Sequence, residues 1–421
     1  MQGLDALFNP SSVAVIGASA TPGKVGHDIF VNILKGGFTG TLYPVNPRSR
    51  SIASVRAYAD IRDIPDPVDL AIVILPPHQV EKAIANAISH GVRAVVIVSA
   101  GFREVGGEGL AIEQRIVAMC GAAGVRVVGP NCLGVINPKG AVRLNASFSA
   151  RMPKPGNISF ISQSGALCTA VLDFAADKDF GFSKFISIGN KADVDELDLL
   201  RYFHADPDTE VIMLYIEELH RGPEFIREVK EITGGDRPTP VLAIKSGRTL
   251  AGASAAASHT GSLAGSEAVY DALFAQSGII RVDSIDELFD FGIAFAYKNE
   301  SATGKIRRKV PHGNRVAIVT NAGGPGIVAT DMTVTSGLEL ATFNEETIEV
   351  LRSHLPTTAN VNNPVDVIGD AAQDRYENAL NAVIKDEGVD GALVILTPQS
   401  MTNAIGTAEA KIGRASCRER V

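Results

Sequence analysis

Three times along its 421 residues this chain runs through the same local order: an apolar strand, a Gly/Ser-rich turn and the start of a helix. The instances are Val13-Ala14-Val15-Ile16-Gly17-Ala18-Ser19, Ile158 to Gly165 (ISFISQSG), and Val316 to Gly326 (VAIVTNAGGPG). Parallel strands must be joined by crossovers, usually helical, so each opening commits its stretch to an α/β domain with a parallel sheet. Further strand candidates support the first two: Leu70 to Leu75, Ala94 to Val98 and Val125 to Val128, then Val211 to Ile216 and Val241 to Ile244. Linkers are expected at Met152 to Gly156, which is Pro-rich, and at Lys298 to Arg315, where Gly304, Pro311 and clustered Lys and Arg interrupt the pattern. The expected division is 1–150, 151–300, a linker over 301–314, and 315–410.

Composition narrows the function. Charged residues are 20% of the chain, hydrophobic residues 45%, and Trp is absent, which suits a globular α/β protein rather than a disordered one. No apolar run reaches the roughly 18 residues that span a bilayer, and the N-terminus lacks the basic-then-apolar order of a secretory signal, so a cytoplasmic location is expected. Cys120, Cys132, Cys168 and Cys417 have no CxxC spacing, which indicates neither a disulfide framework nor a zinc site. A net charge of −8 argues against nucleic acid as the main partner.

The segment Lys411 to Val421 (KIGRASCRERV) abandons the α/β pattern and reads in one frame as a sequencing-adapter oligonucleotide. The expectation is that 411–421 is an artefact and that the natural sequence diverges near Lys411 and continues. The third domain would then be incomplete, and the remaining 410 residues would carry a net charge of −11.

Two features suggest phosphorylated ligands. A strand-to-helix turn exposes backbone N–H groups at the positive end of a helix dipole, so each opening is a prospective anion cradle. His259 sits in a run of residues with very small side chains, Ala255 to Gly265 (AAASHTGSLAG), which leaves room for a bulky partner. Imidazole can accept phosphate, ligate metal or act as a base. No cysteine or second histidine lies within ten residues, so a local metal site is not expected.

The first turn, Gly17 to Gly26 (GASATPGKVG), departs from the dinucleotide fingerprint G-x-G-x-x-G in spacing and length. Where an NAD enzyme carries an acid for the ribose, the sequence has Asn46-Pro47-Arg48-Ser49-Arg50. Basic residues there suit a phosphorylated ribose, which leaves NADP or coenzyme A. Leu75 to His78 (LPPH) and Gly129 to Gly134 (GPNCLG) follow apolar strands and would line the same crevice.

Taken in order, VAVIGAS with PGKVG, YPVNPR, GPNCLG, SQSGAL, GNKADVDE, YIEE, KSGR, SHTGS and TNAGGPG resemble the α subunit, or N-terminal part, of the ADP-forming acyl-CoA synthetases, relatives of the succinyl-CoA synthetase α subunit. The resemblance covers nearly the whole chain before the tail. It implies a Rossmann-like CoA-binding domain followed by two flavodoxin-like, succinyl-CoA synthetase-like parallel-sheet domains. Coenzyme A would be held by Gly17, Ser19, Lys24, Val25, Gly26, Arg48, Pro76 and Asn131, with Arg48 where relatives often carry Lys. His259 would be the phosphorylated histidine and Glu217 the carboxylate that orients it, with Glu218 as the competing acid. Ser162, Gln163, Ser164 and Gly165 would hold the phosphoryl group, and Asn321, Gly323 and Gly324 would form a second such cradle. No resident metal is implied.

The resemblance also implies a ligase that interconverts acyl-CoA, phosphate and ADP with carboxylic acid, CoA and ATP. The ATP-grasp part, which would bind ATP/ADP and Mg2+, must then be a separate β subunit or a missing C-terminal region, so a hetero- or homo-oligomer is expected. Competing readings are an NADP-dependent oxidoreductase, favoured by the first turn and the basic pair, and a CoA-binding regulatory part of a protein acetyltransferase.

Overall fold

In the computed structural model, which describes residues 3–178, 180–249, 267–296, 299–300, 306–307, 311 and 313–412, the apolar runs become strands. Those of the first opening, β1 (Ser12–Ile16), β2 (Thr41–Val45), β3 (Leu70–Val73), β4 (Ala94–Ile97) and β5 (Arg126–Val128), form a parallel sheet in the order β2-β1-β3-β4-β5. Beyond β2 a third strand is reduced to one parallel bridge, Val45 to Tyr58, which completes a Rossmann order. Helices α1 (Val25–Gly36), α2 (Pro77–Ser89) and α3 (Gly107–Ala123) cross between strands. Because they cover both faces, every residue of β1, β3 and β4 is buried, which explains the unbroken apolar runs.

The next sheet contains β6 (Gly134–Asn137), β7 (Leu144–Ser147), β8 (Pro155–Ser162), β9 (Phe182–Ser187), β10 (Val211–Ile216), β11 (Val241–Lys245) and β12 (Ile280–Arg281). Its order is β12-β11-β10-β8-β9-β6-β7. The parallel part, β8 to β12, has the flavodoxin-like order, served by α4 (Gly165–Asp177), α5 (Glu196–Ala205), α6 (Gly222–Gly234), α7 (Glu267–Ser277) and α8 (Ile285–Ala296).

Sheet membership changes well before residue 150. The β6-β7 hairpin is antiparallel and pairs with β9 through Phe185 and Ile136, so it extends the second sheet although it precedes the expected linker. Pro155 and Gly156, read as linker, already lie in β8. The two sheets share one compact unit, Met1–Ala296. Arg126 of β5 holds Asp193 at 2.9 Å and Asp198 at 2.7 Å, and the N–H of Val127 donates to Asp193 at 2.8 Å.

The second unit, Tyr297–Val421, is built on β13 (Arg315–Thr320), which pairs in parallel with β14 (Glu339–Leu340), β15 (Val365–Asp366) and β16 (Gly391–Ile395). Helix α9 (Gly323–Thr335) follows the third opening. The Asn363 side chain completes the sheet edge: it donates to the carbonyls of Val316 at 2.8 Å and Ala341 at 2.9 Å and accepts from Ile318 at 2.9 Å. No helix among the described residues is long and apolar enough to cross a membrane.

Candidate functional site

In each sheet of the first unit the chain winds in opposite directions from the first strand, and ligands of such sheets bind where the winding reverses, at the carboxyl ends of the strands. In the first sheet that point lies between β1 and β3, and the loops there are Gly17 to Lys24 and Leu75 to Pro76. The first loop runs into α1 without a capping side chain: Lys24 is extended and exposed. Gly26 has to be glycine, because a Cβ there would come within 2.1 Å of the Gly17 carbonyl oxygen. That close approach packs the start of α1 against the end of β1. Ser19 accepts from the N–H of Thr21 at 3.1 Å. The Asn46 amide donates to Ala18 O at 2.7 Å and accepts from Arg48 N–H at 2.7 Å, tying the basic loop after β2 to the turn after β1. Arg48, Lys24 and Val25 are exposed, and Pro76 immediately precedes α2. Uncapped helix N–H groups beside exposed cations fit a ligand carrying several phosphates.

The equivalent point of the second sheet lies between β8 and β10, where Ser162 pairs with Tyr215. After β8, the Ser162 hydroxyl donates to Ser164 O at 2.9 Å and accepts from Ser164 N–H at 3.0 Å, while the Ser164 hydroxyl caps α4 by accepting from Leu167 N–H at 3.2 Å. Gly165 begins the helix, whose first N–H groups have no intrahelical acceptor. The third opening repeats the device: the Thr320 hydroxyl donates to Ala322 O at 3.0 Å and accepts from Ala322 N–H at 3.1 Å before Gly323 begins α9.

After β10, the acidic pair is held from several sides. The Gln163 side-chain oxygen accepts from the N–H of Glu217 and from that of Glu218, the latter at 2.9 Å. The Tyr270 hydroxyl accepts from Leu219 N–H at 3.2 Å, and the ammonium of Lys191 donates to Glu218 O at 2.7 Å. Lys191 is fully buried and is also paired with Glu196 at 3.2 Å. On the neighbouring strand Lys245 lies opposite Ile216, its ammonium 4.5 Å from the Tyr270 ring centre, and burial pulls its pKa below the usual lysine range.

The two acids are unequal. Glu218 is buried and ion-paired with Arg103 at 2.9 Å, with His220 Nε2 at 3.4 Å. Glu217 is half-buried and, like Glu218, lines an open cleft. Gln163 lines it as well, together with Asn131. Asn131, which follows β5 of the first sheet, therefore sits at this cleft of the second sheet. It has a left-handed backbone and donates its amide to Asn190 at 3.5 Å. Gly189, beside Asn190, has a φ of +53° and lies so close to the Gly129-Pro130-Asn131 turn that a Cβ would meet Pro130 O at 2.2 Å.

Gln163 is thus engaged in holding the acidic strand end. In the second unit Asn321 is buried, and its amide is engaged by Thr397: it donates to the Thr397 carbonyl at 3.0 Å and accepts from the Thr397 N–H and hydroxyl at 2.9 Å each. Gly323 and Gly324 are exposed at the start of α9. Burial pushes the thiols of Cys120, Cys132 and Cys168 up to about 12, so none of them supplies a thiolate near neutral pH. His259 and the segment 411–421, apart from the helical backbone at 411–412, lie outside the described residues.

Comparison with known proteins follows this division. A CoA-binding domain family matches residues 11–138, the succinyl-CoA ligase-like flavodoxin domain matches 155–295, and the ligase-CoA domain matches 316–410. The α subunit of acetate–CoA ligase (ADP-forming) II from Pyrococcus furiosus is 43% identical over 93% of this chain and 82% of its own length. The chain belongs to the ADP-forming acyl-CoA synthetase family.

A second relative, acetate–CoA ligase (ADP-forming) I from Archaeoglobus fulgidus, is 43% identical over 98% of this chain, which spans 57% of that relative's length. Among solved structures, the acetyl-coenzyme A synthetase 1 of Candidatus Korarchaeum cryptofilum, determined in complex with phosphate and ADP, superposes with a TM-score of 0.88 at 38% identity, covering 97% of this chain and 85% of its own.

The sequence reasoning missed Arg103 and Glu104. Glu104 accepts from the N–H groups of Gly101 at 2.6 Å and Phe102 at 3.2 Å, and from the Asn190 amide at 2.6 Å. Burial alone would raise its pKa, but these donors outweigh it and hold the carboxylate below its usual value. The signal was available: both charges follow β4, at the carboxyl edge of a parallel sheet, where open α/β sheets bind their ligands.

Proposed function

We propose that this chain is the CoA-binding and phosphoryl-carrying part of an ADP-forming acyl-CoA synthetase, acetate or a similarly small acid being the class suggested by its relatives' names. Coenzyme A binds at the uncapped start of α1, where Gly17, Ser19, Lys24, Val25 and Gly26 surround its phosphates and Arg48 and Pro76 flank them. The thioester end reaches the ligase cleft past Asn131. There a phosphate oxygen attacks the thioester carbonyl carbon, the C–S bond breaks, and the acyl phosphate forms as the thiol leaves. A ring nitrogen of His259 then takes the phosphoryl group and releases the carboxylate. The first N–H groups of α4, beginning at Gly165, stabilise the transferring phosphate from the turn that Ser162, Gln163 and Ser164 shape, and Glu217 orients the imidazole.

The observation that carries this reading is the multiply held Glu217–Glu218 strand end, fixed beside the start of α4 in a cleft that the coenzyme domain also lines. Of the two acids, Glu217 is assigned to histidine because it is the more exposed to the cleft, whereas Glu218 is buried against Arg103. ATP is made or used at an ATP-grasp element with Mg2+, supplied by a partner subunit or a fused region, and the start of α9 at Asn321, Gly323 and Gly324 serves as a second phosphate cradle through its backbone. Domain limits of 1–150, 151–300 and 315–410 go with these roles, the 134–147 hairpin of the first stretch forming the edge of the second sheet.

The test is to label the full chain with ATP and an ATP-grasp partner. An acid-labile, base-stable phosphate is expected on His259, since a phosphoramidate hydrolyses in acid whereas a serine ester does not. His259→Ala removes the label, Glu217→Gln slows its appearance, and CoA binding survives both. Full turnover in His259→Ala would sink the mechanism.

A further inference from the structure

Among the described residues that line the ligase cleft, Arg103 is the one cation, and Glu104, Glu217 and Glu218 contribute three carboxylates. It belongs to the coenzyme domain, in the short 3-10 turn Arg103–Val105 after β4. That turn is rigidly placed: Arg103 N–H donates to the buried Glu113 at 3.2 Å, and the same Glu113 oxygen takes the Asn190 amide at 3.0 Å. From the guanidinium, Nη2 donates to Glu218 at 2.9 Å, and its side chain makes no other hydrogen bond among the described residues. The side chain is 29% exposed. A guanidinium carries five N–H donors in a planar fork matched to two oxygens of a phosphate, so donors remain for a ligand in the cleft. An incoming phosphate dianion meets three like charges there, and among the residues that line the cleft Arg103 is the side chain that offsets them, with the positive end of α4 beside it.

We infer that Arg103 binds the attacking phosphate from the coenzyme-domain side and keeps hold of the acyl phosphate that results. This rests on the cleft being the place of thioester cleavage. In that step HPO4(2−) forms the C–O bond as the C–S bond breaks, and the proton of the phosphate ends on the thiol of CoA. Arg103 moves no proton: it offsets charge and orients the nucleophile.

The test uses the full chain with acetyl-CoA and arsenate in place of phosphate. The acyl arsenate hydrolyses spontaneously, so thiol release reports the first step without nucleotide or partner. Arg103→Ala is expected to raise the arsenate KM about tenfold or more, as loss of a charge-assisted contact requires, while the acetyl-CoA KM stays within about twofold. Arg103→Lys, which keeps the charge but not the fork, recovers part of the loss. Glu218→Gln breaks the same ion pair while freeing the guanidinium and removing a carboxylate, so its arsenate KM falls. An unchanged arsenate KM in Arg103→Ala overturns the inference alone, and so does a rise in Glu218→Gln equal to that in Arg103→Ala, which would mark the ion pair as merely structural. No arsenate-dependent thiol release by the wild-type chain overturns the functional reading and this inference together.

Discussion

Replacing Gln163 by Met keeps the volume of the side chain and deletes the one oxygen that accepts from both Glu217 N–H and Glu218 N–H. A buried N–H left without an acceptor costs about 1–3 kcal/mol. The two donors border an open cleft, so water can serve one of them, and a net loss of about 1–3 kcal/mol is expected. For a unit of this size each kcal/mol lowers Tm by roughly 2–4 °C, so thermal unfolding should move down by roughly 2–12 °C. The functional loss should be larger than the stability loss suggests. A displacement of about 1 Å in a positioned group costs on the order of a hundredfold in rate, and phosphorylation of the full chain by its partner should slow accordingly. Gln163→Glu separates the two effects. It retains an acceptor and should unfold closer to wild type, yet it adds a further carboxylate where phosphate must enter and should remain slow. A Gln163→Met protein that unfolds within about 1 °C of wild type and is phosphorylated at the wild-type rate would show that this carbonyl does not position the acidic strand end.

Other consequences can be measured directly. Lys191→Met leaves the buried Glu196 carboxylate without its partner and should cost about 3–5 kcal/mol by urea unfolding; the double variant with Glu196→Leu should recover much of it, and a wild-type midpoint in the single variant would contradict the pairing. Glu104 has a folded pKa held below its unfolded value, so its contribution to stability is present above the ordinary carboxylate pKa and is lost as pH falls through the folded pKa. Glu104→Gln should therefore flatten the acid limb of the stability–pH curve, and an unchanged limb would refute the assignment. Glu113, raised by burial, has the opposite sign: its stabilisation is full below the unfolded pKa and is lost as pH rises through the folded one, so Glu113→Gln should selectively gain stability near neutrality if its Arg103 and Asn190 contacts are preserved, as followed by thermal unfolding across that range. If Lys24 and Arg48 read phosphates, calorimetry should find CoA bound more tightly than dephospho-CoA, with NADP competing poorly; tight NADP binding without CoA binding would overturn the assignment.

Local chemistry was legible in the sequence wherever a residue type has few physical uses. Unbroken apolar runs such as Leu70 to Val73 can be buried only in a sheet covered on both faces, so the parallel α/β class followed from them. Small polar turns such as Ser162 to Gly165 gave the helix starts, because hydroxyls that bond their own backbone and glycines that admit close approach are what such a turn requires. Partnership across long separations was decided by the tertiary structure. Nothing local in residues 134–147 says that this hairpin joins the later sheet, since edge pairing depends on which strand is left exposed beside it. Glu217 and Glu218 are chemically identical neighbours, and the approach of Arg103, 115 positions away from Glu218, is what gives Glu218 its guanidinium partner. The resemblance implies that Gln163 belongs to the phosphoryl-holding turn, and the register of β8 against β10 carries its oxygen to the backbone of the acidic pair. Residue type fixes which bonds a group can form, whereas the packing of elements distant in sequence decides which of those bonds it makes.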